Sequence, residues 1–313
     1  MPSRIKIAAG FLVIYLTWGS TYLAVRLAIE TVPPLLMVGV RSLVAGLLLC
    51  ALARAGGASL PSRAEWRGAL IVGLLLFVGC HGLLAWAQRD VSSGFAALML
   101  ATVPLWVPLI DRLRGVRPTG RIVVALAIGF LGVALLIGAS RGLSAAGSDP
   151  LAVAALLVSA LCWALGSVLA RALVLPKSVT QAAGLELLLG GAVLLGVSAA
   201  SGELAGFDAG AVSLRSALAI VWLALPGSVL GFTVYGCLLR VAPPARVATY
   251  AYVNPVVAMA LGWWLLDEPV TGAMLVASAL ILAAVVVALT DRPLGAALRR
   301  LPARLARFVL TIG

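Results

Sequence analysis

Long apolar stretches alternate with short polar breaks along the whole chain. Ten of the stretches reach the roughly 20 residues that a helix needs to cross a bilayer core of about 30 Å. They run over Ile7–Ile29, Pro33–Ala53, Gly68–Gln88, Ser92–Arg112, Thr119–Gly138, Pro150–Arg171, Val179–Ala200, Leu214–Leu239, Pro244–Leu266 and Thr271–Thr290. The breaks are rich in Pro, Gly and Ser, as at Val32-Pro33-Pro34, Val91-Ser92-Ser93-Gly94 and Ala242-Pro243-Pro244. Links this short set each helix antiparallel beside the next. The longest polar gap, Ala139–Asp149, divides a first half (residues 1–140) from a second (residues 150–290). The expected fold is an all-α integral membrane protein of ten transmembrane helices.

The two halves repeat each other. Trp18, Arg26 and Arg41 have the same spacing as Trp163, Arg171 and Glu186, and Pro104 with Arg117-Pro118 matches Pro255 with Glu268-Pro269. A recurring ungapped spacing marks a duplicated unit. Five spans per half is an odd number, so the second copy crosses the membrane upside down relative to the first. Two inverted five-helix repeats in so apolar a chain point to a carrier whose halves rock around a site between them.

Composition agrees with the pattern. Hydrophobic residues make up 63% of the chain and charged ones 11%, with a mean hydropathy of +1.13. A water-soluble domain has about 25% charged residues, so most of this surface faces lipid. The first span runs on without a small-residue cleavage pattern and reads as a membrane helix rather than a cleaved signal. With a cytoplasmic amino terminus, eighteen of the 23 Lys and Arg residues lie on the cytoplasmic side, and Arg89, Arg141 and Arg215 lie outside. This positive-inside bias places both termini in the cytoplasm. The net charge of +12 comes from those cytoplasmic clusters and calls for no nucleic acid. Residues 291–313, with Arg299, Arg300, Arg304 and Arg307 among apolar neighbours, read either as a basic amphipathic tail on anionic lipid or as a disordered one.

Charges at membrane depth are costly and need a reason. Arg26 and Arg171 lie near span ends and read as interface anchors, with Glu30 one turn beyond Arg26. Arg41 and Glu186 lie about 10–12 Å deep. They are read in two ways: as structural partners of each other or of freed carbonyls, or as groups beside a wet cavity. Glu186, the mid-span carboxylate, is then the candidate for a coupling proton. Trp18, Tyr22, His81, Met99, Thr102, Trp163, Ser167, Tyr250, Tyr252 and Asn254 join Arg41 and Glu186 as candidate cavity residues. Pro104 and Pro255 are expected to break their helices at matching places, and irregular backbone at depth belongs beside a cavity. Each residue has a plainer reading. His81 also suits a helix–helix hydrogen bond, Trp86, Trp263 and Trp264 suit the lipid interface, and the glycines, Gly39, Gly46, Gly190 and Gly191 among them, suit close packing. The four cysteines sit in apolar runs without metal-ligand spacing, and read as packing residues. An enzyme is disfavoured, because the chain has one histidine, one mid-span carboxylate, no Asp-rich motif at a membrane face and no phosphate-cradling glycine loop outside the spans. No cofactor or metal is expected.

The stretch Tyr15-Leu16-Thr17-Trp18-Gly19-Ser20-Thr21-Tyr22, then Pro33-Pro34 and Arg41, then Tyr250-Ala251-Tyr252-Val253-Asn254-Pro255 with Glu268-Pro269, resembles EamA-type transporters of the drug/metabolite transporter superfamily. The group nearest in flavour is the YddG-like exporters of aromatic amino acids. The resemblance implies an inner-membrane carrier with cytoplasmic termini, exporting amino acids or related metabolites from a central cavity. Small dimeric multidrug members of that superfamily carry an essential Glu in their first helix. Here that helix has none and Glu186 is in the seventh, so their proton mechanism does not carry over. The expected protein is a monomeric exporter of small metabolites, apolar or aromatic amino acids first, with membrane lipid as its other partner. The alternative is a broad exporter of drugs or toxic metabolites. The topology is directly testable: a reporter fused after Thr290 should score as cytoplasmic and one inserted at Gly147 as periplasmic. A periplasmic carboxyl terminus would overturn the ten-span arrangement.

Overall fold

Lipid offers the backbone no hydrogen-bond partner, so an apolar chain must satisfy its N–H and C=O groups inside helices. In the computed structural model the residues described are 4–113, 115, 119–142, 149–241, 247 and 249–289, and there is no strand among them. Only the backbone is described at residues 139–142, 239–240, 252 and 288–289. Eight spans are long and apolar enough to cross a membrane: Arg4–Ala28, Pro34–Ala55, Arg63–Ala87, Ser93–Leu113, Gly120–Gly138, Pro150–Leu169, Val179–Ala200 and Leu214–Leu238. They are spans 1 to 8. Spans 9 (Tyr250–Leu266) and 10 (Gly272–Leu289) are shorter and equally apolar. The amphipathic tail expected over residues 291–313, and Arg117-Pro118, lie outside the described residues.

Span 3 begins at Arg63, earlier than the apolar run from Gly68 suggests. A capping box explains the difference: Ser62 N donates to Glu65 Oε2 (2.6 Å) and Glu65 N donates to Ser62 Oγ (3.3 Å). Two orphan donors are thereby satisfied, and the helix starts in its polar first turn.

The packing follows the inverted duplication. Spans 2 and 7, 4 and 9, and 5 and 10 pack as counterpart pairs. Span 1 docks on spans 8 and 9 of the other half, and span 6 on spans 3 and 4. Exchanging each span for its counterpart turns the 1·8 and 1·9 contacts into 6·3 and 6·4, so the contact pattern itself has pseudo-two-fold symmetry. Each repeat lends its first helix to the other.

The 2·7 seam sets how tightly this closes. A Cβ on Gly46 would lie 2.5 Å from Leu188 N, and one on Gly191 2.8 Å from Leu43 N. The helices therefore touch backbone to backbone, the small-residue packing that membranes favour where hydrophobic association is absent. Gly196, on the same helix as Gly191, has nothing within 4 Å of its would-be Cβ. Gly46→Ala should therefore lower detergent-phase thermal stability, by about 1–3 kcal/mol as expected for overpacking. Gly196→Ala should leave it unchanged or slightly raised. Equal effects of the two changes would refute the close seam.

Candidate functional site

Two helices lose their α-helical register at the centre. Leu74–Gly82 in span 3 and Leu223–Leu230 in span 8 are π-helical, and they occupy corresponding places in the two repeats. Pro226, inside the second, cannot donate to the ladder. A π turn shifts hydrogen bonding to i→i+5 and is concentrated at functional sites. Both segments satisfy their carbonyls in the same way. One donor is internal: His81 Nδ1 bonds Leu76 O (2.8 Å) and Ser228 Oγ donates to Leu223 O (2.9 Å). The carbonyl can only accept, so Nδ1 carries the proton. The other donor comes from the helix lent by the opposite repeat. Ser159 Oγ of span 6 donates to Cys80 O (2.9 Å), and Trp18 Nε1 of span 1 to Gly227 O (2.9 Å). Gly231 makes room for the Trp18 indole, which a Cβ there would strike.

Between these segments lies a cavity of about 460 Å³. Aromatic rings cluster on two sides of it. Trp18 meets Tyr250 edge to face at 4.7 Å and lies 5.3 Å from Tyr235 and 5.6 Å from Phe232. On the other side His81 stacks on Phe77 at 5.2 Å and meets Trp163 edge-on at 5.4 Å. Such offset and edge contacts are the arrangements that ring quadrupoles favour. Two polar groups on the wall are buried without a hydrogen-bond partner among the described residues: Arg41 Nε and Asn254 Oδ1. Arg41 is only 4% exposed.

The cavity is lopsided. Its inner wall ends at buried Val25, Leu84 and Leu223, whereas the other end runs out past Pro108 to exposed Arg171. It thus opens toward the face of the bundle that carries the start of span 1. The opposite face is held by polar latches. Glu268 accepts from Ser93 N (2.9 Å) and Ser93 Oγ (2.7 Å), capping span 4. Glu203 accepts from Leu36 N (3.0 Å) and Ser198 Oγ (2.7 Å), capping span 2. Both carboxylates sit where a helix dipole favours negative charge. Asp267, left-handed at φ 51°, turns the chain so that Glu268 reaches span 4. Gly262 leaves the space for it. Ser216 Oγ donates to Leu27 O (2.8 Å), and Arg215 pairs with Glu30 at 3.6 Å.

Of the residues singled out from sequence, Trp18, Tyr22, Arg41, His81, Trp163, Ser167, Tyr250 and Asn254 line the cavity, with Pro104 and Pro255. Met99 and Thr102 do not. Span 4 faces the cavity with Ala97, Leu100, Ala101, Val103, Pro104, Val107 and Pro108, and Met99 lies instead in a core with Leu98 and Leu136. Thr102 spends its hydroxyl on its own helix, donating to Met99 O (2.6 Å). Glu186 is buried on span 7, off the cavity wall, and makes no ion pair with Arg41. The side chain of Tyr252 is outside the described residues. Pro104 follows a true interruption at Ala101-Thr102 and starts the next segment, where a missing N–H is harmless. Pro255 lies inside an uninterrupted span 9, so the paired breaks are the π segments of spans 3 and 8 instead. His81 bonds within its own helix rather than across helices. Arg26 donates to the carbonyls of Gln88 and Arg89, just past the end of span 3, and Glu30 pairs with Arg215. Sequence reasoning missed Phe77, Phe232, both π segments and both carboxylate caps. Pro226 beside Gly227 was the available signal for one of them.

The EamA-like transporter family description matches residues 5–138 and 150–290. The chain belongs to that family. It is 38% identical over 250 residues to the "Uncharacterized inner membrane transporter YedA" of Escherichia coli (strain K12), covering 80% of this chain and 79% of that one. It is 30% identical over 281 residues to "Protein PecM" of Dickeya dadantii (strain 3937), covering 86% and 88%. A crystal structure of another protein, 21% identical, superposes with a TM-score of 0.61 over 98% of this chain and 99% of that one, a likeness of fold. The protein is thus a polytopic membrane transporter of the EamA family.

The Glu268 latch can be tested by a double-mutant cycle. Glu268→Gln should lower thermal stability by about 1–2 kcal/mol, in the range for a lost charged cap. Combined with Ser93→Ala the losses should be non-additive by at least about 0.5 kcal/mol. Strict additivity would mean that the two side chains do not meet.

Proposed function

We propose that this EamA-family transporter is an inner-membrane exporter with cytoplasmic termini that carries small amphipathic metabolites by alternating access through the central cavity. Amino acids with apolar or aromatic side chains are the first class to consider. The observation that carries the reading is the pairing, in one 460 Å³ space, of aromatic rings with the Arg41 guanidinium, whose Nε has no partner among the described residues. Trp163 and Tyr250 supply faces for a planar group, and the Arg41 fork suits a carboxylate held by two parallel hydrogen bonds. Asn254 adds a neutral polar contact. The names of its relatives support the setting, since YedA is called an inner membrane transporter.

In this reading the cargo enters at the Arg171 end, and the bundle then closes there and parts at the Glu203 and Glu268 latches. The repeats, residues 1–140 and 150–290, do not move as separate bodies, because spans 1 and 6 are lent across. The rocking units are span 1 with spans 8 and 9 against span 6 with spans 3 and 4. Glu186 has no place on the cargo route and serves structure. The second reading, a broad exporter of drugs or toxic metabolites, is favoured by the dominance of aromatic over charged groups on the wall, and needs Trp18 and Tyr250 but not Arg41.

Uptake of single compounds into proteoliposomes holding the purified protein decides between them. Apolar and aromatic amino acids or their close relatives should be carried, and Arg41 substitution should cut that transport. Trp163→Ala or Tyr250→Ala should each reduce it about threefold to tenfold, the size expected for a lost stacking contact, with expression and folding retained. Transport of uncharged aromatic drugs that is indifferent to Arg41 would favour the broad exporter.

A further inference from the structure

The described cavity wall carries two cations, Arg41 in its depth and Arg171 at its mouth, and no Asp or Glu. The carboxylates near the wall helices lie off the wall, Asp111 at the end of span 4 among them. Glu268 and Glu203 cap helices at the far face, Glu30 pairs with Arg215, and Glu186 stays off the wall on span 7. Backbone carbonyls could replace a carboxylate as the seat of an ammonium group, and the π segments free several. Four of those carbonyls already accept a side-chain donor. Leu76 O, Cys80 O, Leu223 O and Gly227 O are taken by His81, Ser159, Ser228 and Trp18.

A zwitterionic amino acid would therefore set its carboxylate on Arg41 and leave its ammonium without a carboxylate on the described wall, with only neutral acceptors such as Asn254 Oδ1 to meet it. An ammonium is strongly hydrated, and stripping it without a counter-charge is unfavourable. Arg41 poses the converse problem. A guanidinium that is 4% exposed, with Nε lacking a partner among the described residues, is a buried cation with no anion beside it among them. Buried charges persist when paired, and a bound carboxylate supplies the pair.

We infer that the cavity is built for monoanionic aromatic carboxylates, acids that lack a free ammonium group such as aryl-alkanoates, 2-oxo acids and N-acylated amino acids, in preference to the zwitterionic amino acids. The inference rests on the reading of this cavity as the transport site and names the charge form that the site selects.

Three molecules of one shape and three charges test it: 3-phenylpropionate, L-phenylalanine and phenethylamine, each titrated at neutral pH against the purified full-length protein and each used in proteoliposome counterflow. 3-Phenylpropionate should bind at least about tenfold more tightly than phenylalanine, the lower end for a charge-assisted pair against an uncompensated one, and phenethylamine should not compete. Arg41→Gln should erase the preference. Should that variant fold poorly, Arg41→Lys keeps the charge but loses the fork, and should retain the order with a weaker preference. Phenylalanine binding as well as or better than the acid, or competition by the amine, would overturn the inference while leaving the transport site in place. Binding and counterflow by none of the three would remove the reading on which the inference rests, and the inference with it.

Discussion

Every irregularity in this molecule obeys one constraint: a backbone carbonyl at membrane depth must be given a donor. The chain departs from α-helix in span 1 at Ser20, in span 4 at Ala101-Thr102, and in the π segments of spans 3 and 8. At each departure a side chain steps in. Thr21 Oγ1 donates to Trp18 O (2.6 Å), Ser20 Oγ to Thr17 O (3.0 Å), and Thr102 Oγ1 to Met99 O (2.6 Å). The π carbonyls take Trp18, Ser159, His81 and Ser228. Because two of these donors come from spans 1 and 6, the lending of a helix between repeats is a condition for the π segments to exist at depth. The widened turns in turn open the cavity between them. Fold and site are one solution to the same hydrogen-bond problem.

That solution also sets the character of the cavity. Donors used up on the backbone cannot meet a cargo, and carbonyls so engaged have one lone pair fewer to offer a cation. The wall then offers aromatic surface, neutral polar groups such as the Asn254 amide, and the Arg41 guanidinium. The deep charge that stands out in the sequence remains unpaired within the described structure, whereas the expected partner, Glu186, belongs to a different helix face. A counterpart in the repeat is not a partner in space. Arg41 and Glu186 match because spans 2 and 7 descend from one ancestor, and that common descent places them at equivalent depths in opposite directions.

The spans, their order and the inverted duplication were legible because they depend on lengths of apolar sequence and on where Arg and Lys fall, both properties of the chain alone. Much of the cavity wall was legible for a related reason: Trp18, Arg41, Trp163 and Asn254 are polar or aromatic groups at a depth where such groups need a purpose. Met99 and Thr102 went astray because span 4 is apolar all round, so sequence gives no phase for its buried face. The π segments escaped because periodicity arguments assume one register throughout, and Gly79 and Gly227 look like ordinary packing glycines. The carboxylate caps escaped because Glu203 and Glu268 fall in loops, where acids report topology and say nothing of which helix they will reach.

The caps bear on direction, because inverted symmetry makes a demand that they fail to meet. A device at one face should recur at the other if the two gates are equivalent. The repeat partner of Glu268 is Arg117, a cation that cannot cap a helix amino terminus. At the face where the cavity opens, span 7 is capped by the Ser178 hydroxyl, bonded to Gln181 N at 3.4 Å, where its counterpart span 2 has the Glu203 carboxylate at 3.0 Å. Hydrogen bonds to a charged acceptor are shorter and about twice as strong as neutral ones. The two gates therefore differ in strength by sequence, with the stronger at the face away from the start of span 1. In the orientation and direction of transport proposed above, that bias would favour a resting carrier closed to the outside and open to the cytoplasm. The cargo must then contribute the difference on binding, and an anion neutralising Arg41 is the group on this wall best placed to do so.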